Sequence, residues 1–300
     1  MRLDAIKRAL TGTIRDVNDH HTLQTAAGLA YYFTLSVFPA LIALSAILGL
    51  IPVPNLFSQV IGFLRRILPP EGMHAVNSVL RSVLSSNSRE WLSVGMLGLI
   101  WTTSSAFTSI IESLDIAYDV EDTRPFWKVR LIAIGLAFLC GTLLLISLGV
   151  MIVGPKFGGW LAGKLQLSWI FAAVWPALRW ILAITFTVLA VEIIYFLAPR
   201  VQQRFWSTLP GAILFVVFGD ALSFGLGFYF RSFAHFNKMY GTLGGFVAFM
   251  TWFYWTSFVL LVGAELNAEL AKESKRGSLS RRPATPADPS AVEPDLPRAA

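Results

Sequence analysis

Charge is what this sequence has least of. Asp, Glu, Lys and Arg make up 14% of its 300 residues, against 55% hydrophobic. Ordinary soluble domains carry about 25% charged residues, so that class is excluded. Cysteine is nearly absent. The single Cys140 rules out an intramolecular disulfide and a cysteine-based metal site, and its place in an apolar run marks a small buried hydrophobe. Histidine is almost as rare, and His20, His21, His74 and His235 show no HxH or HExxH spacing, so no metal site is expected. Also missing are a GxxxxGK[ST] phosphate loop, a GxSxG elbow and a Rossmann fingerprint, and no cofactor is expected. No ten-residue segments of alternating polarity occur, which excludes a membrane β-barrel.

What the chain has instead is long uncharged runs separated by short charged clusters, at a mean hydropathy of +0.62. That pattern predicts an all-α polytopic membrane protein with about six spans. The runs place them at about 26–51, 91–111, 131–153, 177–198, 210–230 and 244–266, within a membrane domain covering 25–270. Pro39 predicts a kink in the first, and Pro210 suits the first turn of the fifth, where a missing N–H donor costs nothing. Residues 1–24 set Leu3, Ile6, Leu10, Ile14 and Val17 at helical spacing between Arg2, Lys7, Arg8 and Arg15, which predicts an amphipathic helix on the bilayer surface rather than a secretory signal. Two apolar stripes between 53 and 90 predict further interfacial helices. From 271 to 300, prolines, charges and small residues read as a disordered tail.

Fifteen Lys and Arg fall on the side of these spans that holds both termini and nine on the other, so both termini are expected in the cytoplasm. Trp91, Trp127, Trp175 and Trp206 sit at span ends, where indoles prefer the headgroup region. The net charge of +6 fits basic loops facing anionic lipid, and the bilayer is the expected partner rather than nucleic acid.

Polar groups inside spans carry whatever chemistry there is, because the bilayer makes a central carboxylate costly, at roughly 2.5–3.5 kcal/mol. Asp220 lies midway along the fifth span, as a proton-titrating or substrate-contacting carboxylate or as a protonated tie between helices. Glu192 lies near the end of the fourth and is expected to pair with Arg200 or Arg204. Glu265, Asn267 and Glu269 close the sixth; the two carboxylates share a helical face and are expected to mark its boundary and pair with Lys272 or Arg276. Gly219, Ser223 and Gly227, with Gly241 and Gly245, recur every fourth residue and predict close packing of the last two spans. The segment from Glu112 to Asp122, including Asp115 and Asp119, gathers carboxylates where a metal-dependent nuclease would need them, and equally suits a charged loop.

Four stretches together resemble the YihY/BrkB family of bacterial inner-membrane proteins. They are "AAGLAYYFTLSVFPALIAL", "SLDIAYDVEDTRPFWKVRLIAI", "STLPGAILFVVF" and "YGTLGGFVAFMTWFYWTSFVLLVGAELNAEL". The resemblance covers about residues 5 to 270, with Asp115 standing where members commonly carry asparagine. It implies a six-span inner-membrane protein. Members have been labelled both ribonuclease BN, for tRNA processing, and virulence factor, for serum resistance. The leading expectation is a non-enzymatic inner-membrane protein that transports or translocates a lipid or other envelope component; a membrane-bound ribonuclease and a membrane scaffold are the alternatives.

Overall fold

The structure, a computed structural model, describes residues 3–50, 61–62, 73, 89–165, 168–232 and 242–279. Seven α-helices are described. They are α1 (Leu3–Asp19), α2 (Thr22–Leu50), α3 (Arg89–Ala117), α4 (Phe126–Leu165), α5 (Ser168–Leu197), α6 (Leu209–Ser232) and α7 (Thr242–Leu279), with a 3₁₀ turn at Phe205–Ser207 before α6. The six long helices α2 to α7 correspond one to one with the expected spans. Helix is the form such apolar segments must take, since hydrocarbon offers no partner for backbone N–H and C=O groups. Four of the six contain stretches long and apolar enough to cross a bilayer: Phe126–Pro155, Val174–Leu197, Leu209–Tyr229 and Phe246–Ser274. Helices α2 and α3, at 29 residues each, span about 43 Å, more than a ~30 Å hydrocarbon core.

Each long helix packs on its sequence neighbour, and α7 returns to α2, so the bundle closes as a ring. Helix α7 holds the ring together, touching α1, α2, α3 and α6. The buried apolar cluster lies at one end of this ring. It is built from Ala26 and Leu29 of α2, Ile110 and Leu114 at the end of α3, Ala133 and Leu136 near the start of α4, Val191 and Ile194 at the end of α5, and Leu261 and Ala264 of α7. That end also carries α1.

Three boundaries differ from the sequence reading. Residues 154–176 form no long connection: α4 continues to Leu165 and α5 begins at Ser168. Gly154 and Gly158 are packing points, because Trp175 Nε1 donates to the Gly154 carbonyl at 2.7 Å and its indole covers Gly158. Helix α7 continues to Leu279, so the first residues of the expected tail are helical. The reason is α1, whose Arg8 bonds Glu273 at 2.9 Å beyond the predicted span end. Finally, the N-terminal helix stops at Asp19, and His21, with φ of 51°, turns the chain into α2. The interfacial helices expected in 53–90 fall almost entirely outside the described residues, as does the tail after 279.

Helix α1 has two working faces. Ala9 and Thr13 are buried, and the Glu269 side chain fills the space beside Gly12. Ile6, Leu10 and Ile14 point outward, Ile14 at 74% exposure, as a helix lying on a bilayer requires.

Candidate functional site

The α1 end of the bundle is assembled from helix termini, and these supply its polar groups. Helix α3 ends in a Schellman turn, with Val120 N–H bonded to the Asp115 carbonyl and Asp119 N–H to that of Ile116, both at 3.0 Å. Asp119 occupies the left-handed position at φ 54°, where glycine is usual, and its carboxylate is thereby aimed at α1 and α7. His20, in the turn between α1 and α2, meets it. His20 Nε2 lies 3.1 Å from Asp119 Oδ1 and Nδ1 lies 2.9 Å from Glu265 Oε1. With an acceptor at each ring nitrogen, the doubly protonated imidazolium is the form that satisfies both. Burial works against that charge, but the hydrogen bond to Glu265 and the fields of Glu265, Asp119 and Asp16 outweigh it and raise the His20 pKa above its usual 6.5. Asp119 moves the other way: burial would raise its pKa, but Lys272 and His20 hold it below the ordinary carboxylate range. Lys272 Nζ completes this layer, within 3.1 Å of Asp16 and 2.9 Å of both Asp119 and Glu269.

Beneath lies a drier layer. Gly211 and Gly263 let α6 and α7 touch through their backbones: a Cβ at Gly263 would stand 2.8 Å from the Gly211 carbonyl and collide with the Tyr195 hydroxyl. This contact brings Asn267 to the start of α6. Its Oδ1 accepts the Gly211 N–H at 2.8 Å and its Nδ2 donates to the Thr208 carbonyl at 2.8 Å, so a side chain of one helix caps the N-terminus of another. The Thr208 hydroxyl donates to Glu192 Oε1 at 2.7 Å, placing that carboxyl group against the positive end of the α6 dipole. Tyr195 donates to the Leu260 carbonyl at 2.6 Å. Tyr118 reaches in from the end of α3, its hydroxyl beside the Gln203 and Asn267 side chains and within the field of both Glu192 and Glu265. Burial, the largest influence on it, lifts the Tyr118 hydroxyl well above the usual tyrosine range.

The two carboxyl groups of this layer are unusually placed. Glu192 and Glu265 are each 1% exposed and Tyr118 8%, yet Glu192 Oε2, Glu265 Oε2 and the Tyr118 hydroxyl have no hydrogen-bond partner among the described residues. A buried carboxyl oxygen without a donor is costly, so each has an open valence for a proton or a polar ligand. Through Glu265 and His20 this layer connects with Asp119, whose side chain is half exposed.

Of the residues singled out in the sequence, Glu192, Glu265 and Asn267 come together here. Asp220 does not: it lies on the outer surface of α6, exposed and without a polar contact among the described residues. Glu192 pairs with Thr208 rather than Arg200 or Arg204, because the α6 N-terminus occupies the space beside it. Glu269 does pair with Lys272, as expected. The Gly219 and Gly227 positions make no close approach, since a Cβ at either meets nothing within 4 Å. Ser223 between them does touch α7, accepting from Trp252 Nε1 at 2.9 Å. Gly245 lies in α7, with its surroundings outside the described residues, and Gly241 lies outside them altogether.

In the acidic segment, Arg124 bridges Asp115 at 3.3 Å and Asp122 at 2.8 Å, and donates to the Ala198 carbonyl at 3.1 Å. Asp115 Oδ1 also accepts the Arg200 N–H at 2.8 Å. These carboxylates therefore clamp the α5–α6 loop. Among the described residues no three His, Cys, Asp or Glu side chains gather as metal ligands. Sequence reasoning missed His20, Tyr118, Tyr195, Thr208 and the Gly211–Gly263 contact; a glycine within one turn of an in-span polar group is the signal that would have found the last.

Long apolar helices closed around one buried polar end define a multi-pass helical membrane protein. The chain belongs to the BrkB family: the family model described as Virulence factor BrkB matches residues 13–288. It is 30% identical over 256 residues to the Putative ribonuclease-like protein YfkH of Bacillus subtilis, covering 85% of this chain and 92% of that one. It is 25% identical to a UPF0761 membrane protein of Stenotrophomonas maltophilia and 23% identical to one of Xanthomonas campestris, covering 84% of this chain and 58% of each relative. No solved structure matches.

Proposed function

We propose that this chain is a non-enzymatic protein of the bacterial inner membrane that moves a lipid or other envelope component, using the Glu192–Tyr118–Glu265 layer as its proton-exchanging or substrate-contacting site. The observation that carries this reading is the pair of buried carboxyl groups with open valences, connected through His20 to the α1 end of the bundle. Intramembrane carboxyl groups facing a bundle interior are typical of proton relays and substrate paths. The excess of Lys and Arg on the side of both termini supports a cytoplasmic α1 end.

In a deletion strain, the wild-type chain should restore envelope lipid composition and solute tolerance. Glu192→Gln with Glu265→Gln should fail to do so while reaching the membrane in equal amount, and Asp220→Asn, outside the layer, should complement. Full complementation by the double glutamine variant would end the reading.

One observation favours a second reading: the ribonuclease-like name of the Bacillus relative. In this chain Asp115, Asp119 and Asp122 are engaged by Arg124, Lys272 and His20, which suits a structural role. Cleavage of tRNA precursors by the purified protein with Mg²⁺, lost in Asp115→Ala or Asp119→Ala, would establish the enzyme instead.

A further inference from the structure

We propose that the loop from Ala198 to Arg204 is a binding site for the phosphate of an anionic phospholipid headgroup, with the Arg200 and Arg204 guanidinium groups as its donors. The loop borders an open depression of about 740 Å³ lined by Leu197, Pro199, Arg200, Gln203 and Arg204 among others. Its position is set by the spans on either side: one apolar stretch ends at Leu197 and the next begins at Leu209. A ligand seated here has its polar part at the interface and its chains against α5 and α6.

The loop backbone is built to hold still. Asp115 takes the Arg200 N–H, Arg124 takes the Ala198 carbonyl, and Gln203 Nε2 donates to the Tyr195 carbonyl at 2.6 Å. Phe196 stacks edge-on against Phe205 across the loop. All these contacts leave the two guanidinium groups uncommitted. Four other described arginines are spent on protein: Arg8 on Glu273, Arg15 on Asp19, Arg124 on Asp115 and Asp122, and Arg130 on Ser105 and Trp101. Arg200 and Arg204 are exposed and make no ion pair among the described residues. Asp122, whose charge acts on Arg200 through space, is already bridged by Arg124. Two free planar forks on a fixed loop suit the bidentate geometry of a phosphate. Trp206, at 75% exposure two residues further on, supplies an interfacial anchor beside it. The site is independent of whether the chain moves a substrate.

Native mass spectrometry of the detergent-solubilised full chain tests this, with phosphatidylglycerol, phosphatidylcholine and glycerol phosphate as probes. Phosphatidylglycerol should be retained over phosphatidylcholine, and glycerol phosphate at equal concentration should not displace it. Arg200→Ala and Arg204→Ala should each weaken retention about fivefold, and the double variant about thirtyfold. The contact of residue 200 with Asp115 runs through its backbone, so these variants keep the loop. Arg15→Ala, removing an exposed arginine elsewhere, should change nothing. Equal retention of phosphatidylglycerol by wild type and double variant overturns the proposal, and so does displacement by glycerol phosphate, which would mark a site for free phosphate.

Discussion

The α1 end of the bundle and the half away from it are built from the same helices by different rules. At the α1 end, α3, α5, α6 and α7 meet through small residues, backbone contacts and interhelical hydrogen bonds, and the buried apolar cluster lies there. In the described part of the other half, Leu97, Leu144, Leu145, Val174, Ile181, Phe224 and Phe228 are exposed on the bundle surface. Lipid tails are as apolar as leucine, so hydrophobicity alone does not bring membrane helices together. The comparison locates specificity: oily residues put the helices in the bilayer, and a few glycines and polar side chains at one end decide which helices touch.

The sharpest way to break this comparison is to add one side chain to a glycine in each half. Gly263→Leu forces α7 off the Gly211 carbonyl and the Tyr195 hydroxyl, backbone and buried groups that have no room to move. A loss of about 3 kcal/mol or more is expected, at the upper end of overpacking costs. Gly219→Ala and Gly227→Ala meet open space and should be neutral or stabilising by up to about 1 kcal/mol. Thermal unfolding in detergent reads both. Equal losses in the two halves would show that the far half packs as tightly as the near one.

Hydrogen bonds give a second, smaller test. Asn267→Leu leaves the Gly211 N–H buried without its partner, while the Thr208 carbonyl keeps only the Ala212 N–H, at a cost of about 1–3 kcal/mol. Ser223→Ala removes the α6–α7 bond to Trp252 in the other half, where less than about 1 kcal/mol is expected. If Ser223→Ala proved the more damaging, the α6 cap would not be what fixes that helix.

How much of this was legible in the sequence follows from the same division. Helical class comes from composition over twenty or more residues; a long helix covers each predicted run, and four of the six are apolar enough to cross a bilayer. Glu192, Glu265 and Asn267 were found because a polar residue in an apolar run stands out. Their partners were not, because contacts such as Glu265 with His20, 245 positions away, leave no local pattern. The four-residue glycine spacing misled: a Cβ at Gly219 or Gly227 meets nothing within 4 Å, whereas Gly211 and Gly263 pack against each other and against Asn267 and Tyr195 and show no repeat. The ends of α4, α5 and α7 were misplaced for a related reason. The expected spans stop at 153 and resume at 177, and the charge after 271 reads as tail, whereas tertiary partners extend the helices into both segments.

The smallest expected effect concerns the outermost layer, and its sign can be worked out. His20 faces Glu265 from α7, Asp119 after α3 and Asp16 from α1, with Lys272 bonded to the latter two. Its folded pKa is raised above 6.5, so the stabilisation from its charge is complete below about pH 6.5 and is lost as pH rises through the raised value. Asp119, held low, stays ionised throughout that window and contributes no titration of its own. The docking of α1 should therefore loosen as pH rises from 6 to 8.5, read as faster hydrogen exchange of residues 3–19 after correction for the intrinsic rate. His20→Gln should flatten that profile, and Asp119→Asn should narrow it by removing one of the anions that raise the His20 pKa. Residues 144–153 of α4, which hold no titratable side chain, should show no change over the same range. A pH dependence shared equally by both regions, or left intact in His20→Gln, would mean that the imidazole does not join α1 to the bundle.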